Sequence, residues 1–297
     1  MGELKLFNLP YFIYLFIFIF VILFSLFLLQ GKSEAFKKRY IASLLFFSLL
    51  IHFMKLLFPP YVNDTYAFRK ITPENICALS TLAFPFIFLS KNKVLKDYMF
   101  YIGVISGSIA VILPLEAINK SAFVFDVIRF YICHIIITVA PFLMVATGLH
   151  ELDYHRIYKV PIVFLIVMAI IMINEIILIE VGLIDIKDTP EGKGLLEIGR
   201  YRNFSLIFGP TIEYLRDNNI YFIENFIDIF VPEFFRTIPF GEYAGEKKYW
   251  PILWAVVPVF IFLPLLSGIL AWYWEKDHMK EDLYTLKNNI IRFFKME

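Results

Sequence analysis

Cysteine is scarce. The 297-residue chain holds two, Cys77 and Cys133, and both fall inside apolar runs. Two buried thiols exclude a disulfide framework and a cysteine zinc site, which needs clustered ligands. No metal and no cofactor is expected. Charge is also thin, 19% of residues with a net +1, and no basic stripe with interleaved aromatics is present, so nucleic acid is not an expected partner. Internal repeats and low-complexity tracts are missing. The first apolar run, 11–30, lacks a strong positive front end and a small-residue cleavage site. It therefore reads as a retained span rather than a secretion signal.

What the chain has in abundance is apolar surface. Hydrophobic residues make up 59%, mean hydropathy is +0.69 and phenylalanine alone occurs 34 times. A water-soluble domain of this size does not carry that fraction, which places the chain among multi-pass proteins of the cell membrane. Windows of about 20 apolar residues predict seven spans, near 11–30, 40–58, 75–90, 99–118, 123–149, 160–183 and 252–274. The third is short and follows Pro73, a residue suited to a first helical turn. Lys and Arg of the short loops and tail divide fourteen to four between the two sides, which predicts an outside N-terminus and a cytosolic C-terminus. The fold class is thus all-α, a polytopic bundle of about seven helices. One transmembrane domain covers 1–274 and includes an outer interfacial loop, 184–250, with aromatic patches broken by acids. That loop is either a lid that admits lipid or a packing element, with interfacial helices ending at Pro232 and Pro239. A tail, 275–297, reads as an amphipathic cytosolic helix on the anionic leaflet.

Ionisable side chains inside spans are costly and call for named partners. Asp126 and Arg129 stand three apart and are expected to pair locally. His52 and Lys55 share a face in the same way, with Lys55 near enough to the span's end to snorkel outward. Glu175, beside Asn174, is deeper; it either meets Arg129 or Lys55 or stays protonated. Gly103 and Gly107 form a small-xxx-small pair that helix packing explains.

His134 lies well inside the fifth span, and Cys77 enters the third from the same side, so the two are expected to meet in one half of the bilayer. A thiol alone in an apolar site is inert. An imidazole within hydrogen-bond reach makes it a nucleophile. On spacing alone a core cysteine and a structural histidine remain the competing reading. Cys133, adjacent to His134, points elsewhere on the helix.

Thr72-Pro73-Glu74-Asn75-Ile76-Cys77 opens the third span, Lys91-Asn92-Lys93 follows it, and Phe130-Tyr131-Ile132-Cys133-His134 lies in the fifth. This order resembles the YwaF-like bacterial integral membrane family, related to transmembrane protein 164 of eukaryotes. Its members often have Pro-Leu-His-Leu-Cys at the first site and aromatic-x-x-His at the second. Asn174 and the stretch 203–210 are similar, more loosely, to the family's downstream pattern. The resemblance implies a phospholipid acyltransferase with Cys77 as nucleophile and His134 as base. The chain departs from the pattern at Asn75, where the family has histidine. Membrane phospholipids and lysophospholipids are then the partners. Asn75 is the nearest side-chain donor for an oxyanion. Arg129, Arg200 and Arg202 are candidates for the headgroup phosphate, with Asn174 and Glu175 as further substrate-binding candidates. The alternatives are a lipid hydrolase using the same pair, a transporter built on the buried charges, and a structural membrane protein without chemistry.

Overall fold

Asparagine and serine set the starts of the first four long helices. In the computed structural model, which describes residues 2–184, 206–210, 221–237 and 244–295, α1 (Leu9–Leu29) is capped by Asn8 and α2 (Glu34–Met54) by Ser33. Asn75 caps α3 (Ile76–Leu89) and Asn92 caps α4 (Lys93–Ile112). Each side chain accepts a hydrogen bond from a backbone N–H of the first turn that the helix leaves unpaired. The remaining elements are α5 (Phe125–Ala146), α6 (Val160–Glu180), two short helices α7 (Phe222–Asp228) and α8 (Glu233–Arg236), and α9 (Val256–Lys295), which breaks at Glu275. The molecule is an all-helical membrane protein.

Six helices among the described residues are long and apolar enough to cross a membrane. The third of the seven expected spans is instead the 14-residue α3. At 1.5 Å per residue it is about 21 Å long, short of the roughly 30 Å hydrocarbon layer. Its capped end starts at Ile76, three residues beyond Pro73, so the proline belongs to the approach and not to the first turn.

Apolar side chains fill the core and also cover much of the outside. In α5, 78% of the apolar window is buried, whereas in α1 the figure is 17%, so α5 is the axle and α1 an outer helix. Phe16, Leu23 and Phe27 of α1 and Ile269 and Tyr273 of α9 are exposed, as side chains facing lipid are. The most extensive helix pair is α4 with α5. It depends on two glycines. A Cβ on Gly103 would lie 2.6 Å from the Ile137 carbonyl oxygen, and one on Gly107 would lie 3.0 Å from that of His134. The small-xxx-small pair is therefore a contact surface for backbone on backbone. Tyr14 ties α1 to the same axle, stacking on Tyr131 at 3.8 Å and donating to the Ala122 carbonyl at 2.7 Å.

The described parts of the long loop pack on the start of α9. Phe226 and Phe230 meet Phe262, and the Trp254 indole N–H donates to the carbonyls of Leu206 and Ile207. Pro232 caps the start of α8 rather than ending the helix before it, because a residue without an N–H is harmless at a helix entry. Pro239 lies outside the described residues.

Candidate functional site

A cavity of about 110 Å³ sits between α2, α3 and α5 at the end of the bundle where α3 and α5 begin. Cys77 and His134 both line it. Around them stand Asn75 and Thr81 from α3 and its cap, and Arg129 and Cys133 from α5. The loop between α2 and α3 adds Lys70 and Glu74, and Glu116 comes from the turn after α4.

Local structure fixes each group. Asn75 is the N-cap of α3, its Oδ1 accepting the Ala78 N–H at 2.7 Å, so Cys77 falls in the first helical turn. The side-chain NH₂ of Asn75 is left for another acceptor. The backbone N–H groups of Ile76 and Cys77 have no partner among the described residues, as the geometry of a helix start requires. His134 donates from Nδ1 to the Phe130 carbonyl at 2.7 Å, an assignment fixed because a carbonyl can only accept. The neutral ring then carries its lone pair on Nε2, the nitrogen a general base uses. Thr138, one turn on, donates to the His134 carbonyl at 2.9 Å. No hydrogen bond joins the Cys77 sulfur to His134; the two are walls of one cavity. Cys133 lines the same cavity, and its sulfur lies 3.9 Å from the Ser48 carbonyl.

Most charged groups pair, and two that line the cavity, Lys55 and Glu116, have no ion-pair partner within 4.0 Å among the described residues. Arg129 binds Asp126 at 2.8 Å, as the three-residue spacing predicts, and Lys120 reaches the same carboxylate at 3.0 Å. Tyr61 completes the shell, its hydroxyl donating to Asp126 at 2.8 Å. Burial, with the Asp126 carboxylate beside it, pushes the Tyr61 phenol well above its usual value, so it stays a donor. Lys70 pairs with Glu74 at 3.1 Å. Lys55 has no carboxylate within 4.0 Å among the described residues. It does not snorkel outward: it is 5% exposed and lines the cavity, because the chain leaves α2 in a tight turn, Lys55–Leu57, and brings the Tyr61 ring to 5.9 Å from its ammonium. His52, also buried, bonds the Ile71 carbonyl at 3.1 Å and lines the same space.

Of the expected site residues, Cys77, His134, Asn75 and Arg129 converge. Asn174 does not reach the cavity. Its NH₂ donates to the Thr72 hydroxyl at 3.0 Å and braces the segment leading into α3. Glu175 is buried on α6 but does not line the cavity, whereas the two cations considered for it, Arg129 and Lys55, do. Arg200 and Arg202 lie outside the described residues. The sequence marks His52, Lys55 and Glu116 as ionisable, and gives no sign that they meet Cys77. Among the described residues no group of three or more His, Cys, Asp or Glu is placed to hold a metal ion.

The arrangement offers a thiol at a helix start, a histidine with its base nitrogen free, unpaired N–H donors and a buried cation in one small space. The family model described as the TMEM164 family matches residues 6–212. No curated protein and no solved structure matches the chain.

Proposed function

The chain belongs to the TMEM164 family, and we propose that it is a multi-pass phospholipid acyltransferase of the cell membrane that works through an acyl-thioester on Cys77. The observation that carries this reading is the shared cavity: Cys77, in the first turn of α3, and His134, with Nδ1 already committed to Phe130, line the same space. Apo geometry is commonly looser than the reacting geometry, so the absence of a bond between them at rest does not count against the pair.

In the first step His134 Nε2 takes the thiol proton and the Cys77 sulfur attacks the ester carbonyl of a phospholipid. The N–H groups of Ile76 and Cys77, with the Asn75 NH₂, hold the oxyanion. The intermediate collapses to an acyl-thioester, and the imidazolium returns its proton to the departing glycerol oxygen, releasing a lysophospholipid. In the second step His134 removes the hydroxyl proton of an acceptor lysophospholipid. That oxygen attacks the thioester, the new ester forms and the sulfur regains the proton. Lys55 and Arg129 stand where they would meet the phosphate of a bound lipid. At about 110 Å³ the cavity has room for the reacting ester and none for two acyl chains, which would lie along the helix surfaces. With water as acceptor the same groups would hydrolyse the lipid.

The test is acyl transfer by purified protein from a phospholipid carrying a labelled chain to an added lysophospholipid. Wild type is expected to make labelled diacyl product, and Cys77→Ala and His134→Ala are expected to make none. Undiminished transfer by Cys77→Ala refutes the reading, and labelled fatty acid as the only product replaces transferase by hydrolase.

A further inference from the structure

A second groove opens at the other end of α3, thirteen residues and about 20 Å from Cys77. Its volume is about 550 Å³, and Lys38, Lys91, Lys93 and Lys96 line it, against one carboxylate, Glu151. We propose that this groove binds the phosphate of an anionic membrane lipid.

Four independent features converge there. First, Lys91 and Lys93 have no ion-pair partner within 4.0 Å among the described residues, and Lys96 meets only the Phe88 ring, at 5.9 Å. Lys38 is held by Glu34 at the rim. Second, α4 starts in the groove. Asn92 caps the Leu95 N–H at 3.1 Å and leaves the first backbone donors of this 20-residue helix to an acceptor from outside. Third, His150 is 7% exposed and lines the groove. Its Nε2 is bound to Asp97 at 2.7 Å, and its Nδ1 has no hydrogen bond among the described residues. The position of this ring is built, not incidental. Gly148, at φ +76, ends α5 and turns the chain so that the N–H groups of Leu149 and His150 both close on the Met144 carbonyl. Asp97, 1% exposed, is gripped on its other side by Arg156.

The fourth feature selects the source of the phosphate. The lining includes two apolar side chains of α3, Phe88 and Leu89, and Leu89, like Phe86 on the same helix, is 62% exposed, as a lipid-facing side chain is. Lysines and an exposed apolar helix face lining one groove match a lipid headgroup with its chains attached, and basic pockets between membrane helices take such headgroups. A soluble phosphate would make no use of the apolar face. The site is separate from the cavity at Cys77 and stands whether or not acyl transfer occurs there.

The experiment measures retention of phosphatidic acid by the purified full chain in detergent, by native mass spectrometry and by the shift in thermal unfolding. Phosphatidylcholine and inorganic phosphate serve as comparison ligands. Wild type is expected to retain phosphatidic acid and be stabilised by it. The triple variant Lys91→Gln, Lys93→Gln, Lys96→Gln is expected to bind on the order of a hundredfold more weakly, at roughly fivefold per surface lysine. The variant Lys5→Gln, Lys32→Gln, Lys159→Gln loses the same charge away from the groove and is expected to bind as wild type does. Equal retention by wild type and the groove variant, or equal losses in both variants, overturns the proposal. Stabilisation by inorganic phosphate as large as that by phosphatidic acid overturns the lipid assignment. The unliganded unfolding temperature of each variant shows that it is folded before binding is compared.

Discussion

Adding one carbon to Gly107 should disturb the helix contact that carries His134. A Cβ there would overlap the Thr138 hydroxyl oxygen and stand 3.0 Å from the His134 carbonyl oxygen. Thr138 is β-branched and stiff, and its hydroxyl is already bonded to that carbonyl at 2.9 Å. Either the threonine rotates and gives up the bond, or α4 retreats from α5. Overpacking of this kind costs about 1–3 kcal/mol, against which alanine recovers up to about 1 kcal/mol of helix propensity. Gly103→Ala should be worse. Its Cβ would meet the Ile137 carbonyl at 2.6 Å and the Pro141 ring at 2.8 Å, and neither can rotate away. Gly268→Ala, with nothing within 4 Å, is the control and should be neutral or slightly stabilising. Unfolding in detergent, followed by tryptophan fluorescence, should rank the variants Gly103→Ala, Gly107→Ala, Gly268→Ala from least to most stable. Combining Gly107→Ala with Thr138→Ala should recover part of the Gly107→Ala loss, because it removes the clashing oxygen. If Gly103→Ala is as stable as Gly268→Ala, the close approach of α4 and α5 is not what positions the histidine helix.

Three further outcomes follow from the polar groups. Asp97→Asn leaves Arg156 and His150 without the buried carboxylate both contact, and should cost about 3–5 kcal/mol in the same unfolding assay; a loss below 1 kcal/mol would mean the network is solvated. Tyr61→Phe removes a 2.8 Å donor from Asp126 but leaves Arg129 and Lys120, so about 1.5 kcal/mol is expected, the low end for a bond to a charged group. Lys55→Met should unfold no more easily than wild type, since no carboxylate lies within 4.0 Å of the ammonium it replaces, yet acyl transfer should fall at least tenfold; unchanged transfer would remove Lys55 from the phosphate site.

Hydropathy alone made the membrane class and most helices legible, because each long span must satisfy its backbone internally and leaves an apolar run as its mark. The Asp126–Arg129 pair was legible for the same reason: three-residue spacing fixes it whatever the neighbours do. α3 was legible as an apolar segment but not in its extent as a span. Its window, 75–90, is already the short one, and the cap at Asn75 fixes its start so that 14 residues remain where a span needs about 20. Asn75 itself, which departs from the histidine of the resembling family, has a plain structural use as a helix cap. Lys55 reads toward the surface because a lysine near a helix end usually snorkels, and the turn at Lys55–Leu57 that draws it inward carries no signature in the sequence. Asn174 reads in the sequence as a binding candidate, and nothing there shows its bond to Thr72, a long-range contact that no local pattern encodes.

The account depends most on the chemistry of one sulfur atom. Purified protein incubated with a phospholipid bearing an isotope-labelled chain, quenched in acid and digested, reports directly where the chain goes. The account predicts a hydroxylamine-labile labelled acyl group on the peptide containing Cys77, lost in Cys77→Ala and strongly reduced in His134→Ala. An acyl group on Cys133 instead, or continued transfer with no acyl group on either cysteine, would contradict it.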